Sequence, residues 1–152
     1  MRTRLRGRRA AAVVAIIAGV VLALFVTSGP AVAFFSGGLF LDVQVQTPAH
    51  LVGGGASVDV PLEVTCNARP GTSEVSVTVT QRVGKGIAQG SGFTNVGCTG
   101  SGQDVVVRVR ATAGGKAFQR GDAVADAQLF GCNADFSTCG SETDSEVIRI
   151  RR

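Results

Sequence analysis

The chain has 152 residues, a formal net charge of +4, four cysteines, one histidine and neither tryptophan nor tyrosine. That length suits one domain, and a single histidine without any C-x-x-C pair excludes the common zinc arrangements. The positive balance comes from one end: without the first 33 residues, ten Lys/Arg face eleven Asp/Glu, a net charge of −1. The basic pI is therefore no nucleic-acid footprint, which needs cations clustered on the folded surface.

Arg2, Arg4, Arg6, Arg8 and Arg9 precede an unbroken apolar run over residues 10–26, and Ala31-Val32-Ala33 follows as an A-x-A sequence. That order reads as a secretory signal peptide with a hydrophobic helical segment, residues 1–33, cut after Ala33. Residues 34–152 then form the exported domain. An uncleaved anchor facing outside is the alternative, although 17 apolar residues are at the short edge of the roughly 20 that span a bilayer. Arg8-Arg9 also admits a twin-arginine reading. No cysteine lies near the junction, so lipid attachment there is excluded.

A flexible leader, Phe34-Phe35-Ser-Gly-Gly, comes next. Residues 39–46 then alternate, with Leu39, Leu41, Val43 and Val45 on one face, until Thr47-Pro48 breaks the strand and Gly53-Gly54-Gly55 turns. Residues 57–66 put Val58, Val60, Leu62, Val64 and Cys66 on one face and Asp59, Glu63 and Thr65 on the other. Pro61 donates no ladder hydrogen bond and marks an edge, a bulge or a bond-free position. Residues 75–83 repeat the alternation through Val75, Val77 and Val79. Gly84-Lys85-Gly86 turns into a short glycine-interrupted strand, 87–93, and residues 95–103 form a loop. Residues 105–112 place Val105, Val107, Val109 and Ala111 inward and Arg108 and Arg110 outward. Phe118 begins a short extended piece, residues 122–132 form the next strand, 133–145 a polar loop, and 146–151 the last strand.

Period-two alternation with turn signals every eight to twelve residues predicts an all-β fold: an immunoglobulin-like antiparallel β-sandwich of about seven strands. Phe40, Phe93, Phe118 and Phe130 are the candidate large core fillers. The even cysteine count in a small exported domain reads as two disulfides. In a seven-strand sandwich the second strand ends at the pole where the fifth begins, so Cys66 and Cys98 meet there. Cys132 ends the sixth strand at the same pole, with Cys139 just beyond. The expected pairs are Cys66–Cys98 and Cys132–Cys139, with a Cys66–Cys132 bridge left open.

Val64-Thr65-Cys66, Val77-Thr78-Val79-Thr80-Gln81-Arg82, Gly90-Ser91-Gly92, Cys98-Thr99-Gly100, Phe118 and Gly121-Asp122-Ala123-Val124-Ala125, ending in Cys132, resemble small secreted actinobacterial proteins with an Ig-like β-sandwich and no assigned activity. The resemblance covers roughly residues 41–151 and implies fold and export, not catalysis. Size and disulfide count are also shared with enediyne-carrier apoproteins and subtilisin-inhibitor-like proteins, whose cysteine spacings differ.

No catalytic, metal or cofactor site is expected. His50 falls in a Pro/Gly-rich turn with no cysteine beside it, and oxidised cysteines are not nucleophiles. Asp59 and Glu63 form a solvated pattern, not an acid/base pair facing a cleft. Asn133, Asp135, Glu142, Asp144 and Glu146 offer calcium-type oxygens without EF-hand spacing, so an acidic loop pinned by Cys132–Cys139 is the plainer reading. Gly84-Lys85-Gly86 and Gly90-Ser91-Gly92 precede no helix, and read as turns and bulges. The expected function is a secreted, non-catalytic surface-binding domain whose partner is a protein or the cell envelope, not nucleic acid. It meets a membrane only through the leader, if that is uncleaved. A small-molecule carrier, with an apolar cleft lined by Phe93, Phe118 and Phe130, or a protease inhibitor with an extended loop is the alternative.

Overall fold

The structure, a computed structural model, describes residues 38–69 and 72–152. The expected leader, with Ala31 and Ala33, lies outside the described residues. The strands are β1 (Leu41–Val45), β2 (Ala49–Val52), β3 (Ser57–Cys66), β4 (Glu74–Val83), β5 (Gly86–Asn95), β6 (Gln103–Ala111), β7 (Gly121–Cys132) and β8 (Cys139–Arg151), with one 3-10 turn at Gly53–Gly55.

The strands form two layers joined at both edges. One holds β1 and β2 end to end along one edge of β3, with β6 on its other edge; the other runs β8-β7-β4-β5. At one edge β2 lies parallel to β8, with Ala49 opposite Ile150. At the other, β5 meets β6 at Gly90 opposite Ala111 and Ser91 opposite Arg110. All other pairings are antiparallel, and the result is an all-β sandwich closed into a barrel.

The core follows from alternation. Val58, Val60, Leu62 and Val64 of β3 and Val75, Val77 and Val79 of β4 are buried against Ala123, Ala125, Ala127 and Leu129 of β7 and Ile148 and Ile150 of β8. Each buried valine, leucine or isoleucine among them contributes about 1.5–3 kcal/mol, and each alanine less. Pro61 is placed where its missing donor costs nothing. Its carbonyl accepts from the Gln46 N–H at 2.9 Å, so its nitrogen faces the same side, at the gap where the chain passes from β1 to β2.

The structure corrects four expectations. The first strand is two, because the chain leaves β3 after Val45 and returns to it as β2, making eight strands. Of the four expected core phenylalanines only Phe118 is buried; Phe40, Phe93 and Phe130 are exposed. Phe93 and Phe130 occupy the outward phase of β5 and β7, whose inward positions are alanines, glycines and Leu129. The glycine-interrupted segment is a regular ten-residue strand, β5, paired with β4 along its whole length. Lastly, residues 139–145 are the first half of β8 and not loop.

Gly90 and Gly92 explain the composition of β5. A Cβ on Gly90 would run into the Arg110 carbonyl, and one on Gly92 into the Arg108 carbonyl. The two backbones approach more closely than any side chain allows. Gly90→Ala should therefore destabilise the domain by about 2–3 kcal/mol, whereas Gly97→Ala, with open space around it, should stay within about 0.5 kcal/mol. Urea unfolding of both variants checks this; equal stabilities would rule out the close approach.

A candidate binding surface at the disulfide-pinned pole

All four cysteines gather at one end of the barrel. Cys66 closes β3 opposite Leu41 of β1 and bonds Cys98 in the β5–β6 connection, 32 residues away. Cys132 closes β7 opposite Cys139 and bonds it, seven residues away. No described cysteine is free. The β3–β4 connection is laid across both bridges. The Arg69 N–H and the Thr72 hydroxyl donate to the Cys132 carbonyl at 2.8 and 3.1 Å, and Ser73 Oγ lies 3.1 Å from Cys98 Sγ. Asn67 ties in the N-terminal segment, accepting from the Phe40 N–H at 2.6 Å and donating to the Gly38 carbonyl at 2.8 Å.

From this base residues 133–138 project as a tight turn. Asn133 organises it. Its N–H donates to the Thr138 carbonyl at 2.9 Å, its Oδ1 accepts the Thr138 N–H at 3.1 Å and its Nδ2 donates to Ser137 Oγ at 3.0 Å. Asp135 accepts the Ser137 N–H at 3.0 Å. That backbone donor, joined by the Ser137 hydroxyl, holds the Asp135 carboxyl below its ordinary value of 3.8. Arg69 braces the turn from the neighbouring connection, donating to the Ala134 carbonyl at 2.9 Å.

Phe136 sits at the tip. Its φ is +59°, and it is the only non-glycine residue with positive φ among the described residues. Its side chain is 57% exposed, with the Arg69 guanidinium 5.1 Å from the ring centroid. A left-handed conformation costs a bulky residue about 1–2 kcal/mol. Five hydrogen bonds within the turn, among them the Phe136 N–H to the Asn133 carbonyl at 3.2 Å, a disulfide and a cation–π contact hold it there, so the ring is presented to solvent in a fixed pose.

The other residues singled out by sequence do not assemble into chemistry. His50 lies not in a turn but on β2, exposed, opposite Asp59 of β3 and Arg151 of β8. Asp59 binds Arg108 of β6 through two hydrogen bonds of 2.7 and 2.8 Å, and this pairing lowers its pKa. Glu63, expected to share its face, stands opposite Asp104 farther along the strand. The calcium-type oxygens do not converge: Glu142, Asp144 and Glu146 are spaced along β8, and Asp144 accepts the Val45 N–H of β1 at 2.7 Å. No three His, Cys, Asp or Glu are gathered around a cation position among the described residues. Phe93, Phe118 and Phe130 share no cleft. Phe118 is in the core, Phe130 is on the outer face of β7, and Phe93 flanks an open cleft of about 450 Å³ with Val106, Arg108 and Arg110. Sequence reasoning overlooked Phe136, which only the Asn133-x-Asp135 start of the turn could have suggested.

No protein-family model matches the chain, and no curated protein matches its sequence. Among solved structures it is similar to the crystal structure of AggA, the major subunit of aggregative adherence fimbriae type I from Escherichia coli, at 11% identity and a TM-score of 0.37, covering 76% of this chain and 96% of that one. A superposition of that quality assigns nothing to this chain.

The lowered Asp135 pKa sets a pH window for the tip. A carboxylate with a depressed folded-state pKa supports its contacts above the unfolded value and loses them as pH falls through the folded one. In an NMR titration the Asp135 carboxyl and the Ser137 amide should shift together, with a midpoint below 3.8. A midpoint at or above that value would mean that the carboxylate does not hold the turn.

Proposed function

We propose that the domain is an immunoglobulin-like sandwich acting outside the cell as a non-catalytic binding module, with the disulfide-pinned pole as its contact surface. The layer pairing supports the fold assignment. A first strand split into β1 on β3 and β2 lying between β3 and β8, and a four-stranded layer β8-β7-β4-β5 facing β3 and β6, are arrangements of that architecture. Two disulfides in a small domain fit an oxidising compartment, as does the basic, apolar, A-x-A order of the first 33 residues. All described cysteines are tied up in disulfides, so none of them is a thiol nucleophile.

The observation that carries the proposal is Phe136. An exposed aromatic ring in a left-handed backbone conformation, closed by Cys132–Cys139, costs about 1–2 kcal/mol of strain, more than its one cation–π contact with Arg69 returns. Preorganised aromatic side chains are typical binding anchors, because little side-chain entropy remains to be lost. The partner that fits is a protein with an apolar pocket rimmed by groups that pair with Arg69 and Asp135. The inhibitor alternative is less well served, since a tightly hydrogen-bonded turn is not the extended segment a protease grips. A carrier would need the phenylalanine-lined cleft that the buried Phe118 denies it.

Phe136→Asn separates binding from folding. Asparagine tolerates the left-handed region, so the variant should keep its stability or gain up to about 1 kcal/mol. It should lose about tenfold or more in affinity for the partner retained by the immobilised native domain. Chemical denaturation and surface-plasmon resonance read the two effects. Unchanged affinity would remove the tip from the contact surface, and a large loss of stability would make Phe136 a structural residue.

A further inference from the structure

The pole opposite the disulfides carries a charge concentration that the sequence disperses. It is built from residues 53–56, 82–86, 112–122 and 148–152, which pack against one another. Phe118 N–H donates to the Gly55 carbonyl at 2.9 Å, Gly86 lies against the Lys116 side chain, and Gly121 pairs with Ile150. These segments bring five arginines, Arg82, Arg120, Arg149, Arg151 and Arg152, together with Lys85 and Lys116, and all seven are exposed. The single acidic side chain among them is Asp122, which binds Arg149 at 2.9 Å. The cations are arranged around relief and not spread on a dome. A shallow recess of about 680 Å³ is walled by Arg120, Arg149, Arg151 and Arg152. A second recess, floored by Phe118 and Leu51, shares Arg120 and Arg152 with it. The two form one basic groove across the pole.

The loop that carries Arg120 is held from beneath. Gln81 is buried in the inward phase of β4; its Nε2 donates to the Gln119 carbonyl at 2.8 Å and its Oε1 accepts the Gln119 N–H at 2.8 Å. A buried amide committed to this loop fixes the backbone beside Arg120.

We propose that this groove binds a linear anionic polymer bearing phosphate or carboxylate groups. Guanidinium groups present fixed forks that match both kinds of oxyanion, and a row of them suits a chain of repeated charges better than one small anion. Charge along the long axis orients the encounter. The opposite half of the molecule carries Asp42, Glu63, Glu74, Asp104, Asp135, Glu142 and Asp144 against Arg69 alone. A polyanion is thus drawn to the basic pole and repelled from the other, leaving the Phe136 tip free. A second copy is the poorer occupant. The end loops of the acidic half, residues 96–102 and 133–138 with 67–69 and 72–73, hold only Asp135 against Arg69, so no acidic socket awaits a basic end.

The test uses inorganic polyphosphate and polyglutamate as probes, titrated onto the purified protein from about 50 to about 200 mM salt. Engagement of about five anionic groups predicts a log–log salt slope of about −3.5, roughly a 100-fold loss of affinity across that range. Arg120→Gln with Arg152→Gln should weaken binding about tenfold and flatten the slope by about 1.4. Arg110→Gln, on the flank of β6, and Phe136→Asn should change neither. Tighter binding of one probe identifies the chemistry of the repeating anion. Binding that ignores the Arg120/Arg152 double variant would overturn the proposal. So would self-association or adsorption to phosphatidylglycerol vesicles with neither polymer bound. Because Phe136→Asn is expected to be silent here, the groove and the tip fail independently.

Discussion

The close approach of β6 to β5 is the constraint on which the architecture depends. A two-layer sandwich ordinarily has open edges, each a row of unpaired backbone groups. Here the Arg108 and Arg110 carbonyls come to rest over Gly92 and Gly90, the two layers exchange hydrogen bonds at that corner, and β2 joins β8 at the other. Closing both corners leaves a barrel whose distinctive surfaces are its two poles. The last open stretch, beside β1, is blunted by the Asp144 carboxylate on the Val45 N–H.

The two poles are fixed by different chemistry. The core is light, dominated by valine and alanine, with Phe118 the one buried aromatic ring among the described residues, so neither end is plugged by bulk alone. One pole is locked by covalent bonds, and the loop closed by Cys66–Cys98 spans 32 residues, long enough for an entropic contribution of about 3–4 kcal/mol. The other is closed by Phe118, inserted beneath the loop it belongs to, and by the two-sided hydrogen bonding of Gln81. A buried amide is tolerable only when its groups are satisfied, and no buried polar side-chain atom lacks a partner among the described residues.

The parts that sequence made legible are those where burial and alternation coincide. β3 and β4 show apolar residues at every second position because both lie central in their layers, and three of the four cysteines, Cys66, Cys132 and Cys139, mark strand ends. Elsewhere the signal fails for physical reasons. In β5 the inward residues Ala88, Gly90 and Gly92 are small, so the largest apolar side chain, Phe93, points outward and suggests the wrong phase. The inward register of β8 near the disulfide pole holds Glu142, Asp144 and Glu146, with Asp144 turned to the β1 backbone, and a strand with two polar faces reads as loop. β2 is only four residues long and hides between a proline and three glycines. The basic pole was legible only in part: Arg149, Arg151 and Arg152 stand together in the sequence, whereas Arg82 of β4 and Lys85, Lys116 and Arg120 of the turns join them only in the fold.

The separation of charge along the barrel does not serve stability. Exposed ion pairs contribute about 0–1 kcal/mol, and only two pairs, Asp59–Arg108 and Asp122–Arg149, form among the described residues. Gathering seven cations at one pole adds repulsion that interspersed charges would avoid, and the strained backbone at Phe136 adds a cost at the other. Both features sit on loops held unusually firmly, by Gln81 beneath Arg120 and by Arg69 and the Cys132–Cys139 bridge beneath Phe136. A domain shaped by folding alone has no reason to place its two least favourable surface features at opposite ends and then brace each of them. The pattern supports the two proposed contacts, a chain of anions at one end and an apolar pocket at the other, and the length of the closed barrel would keep them from interfering.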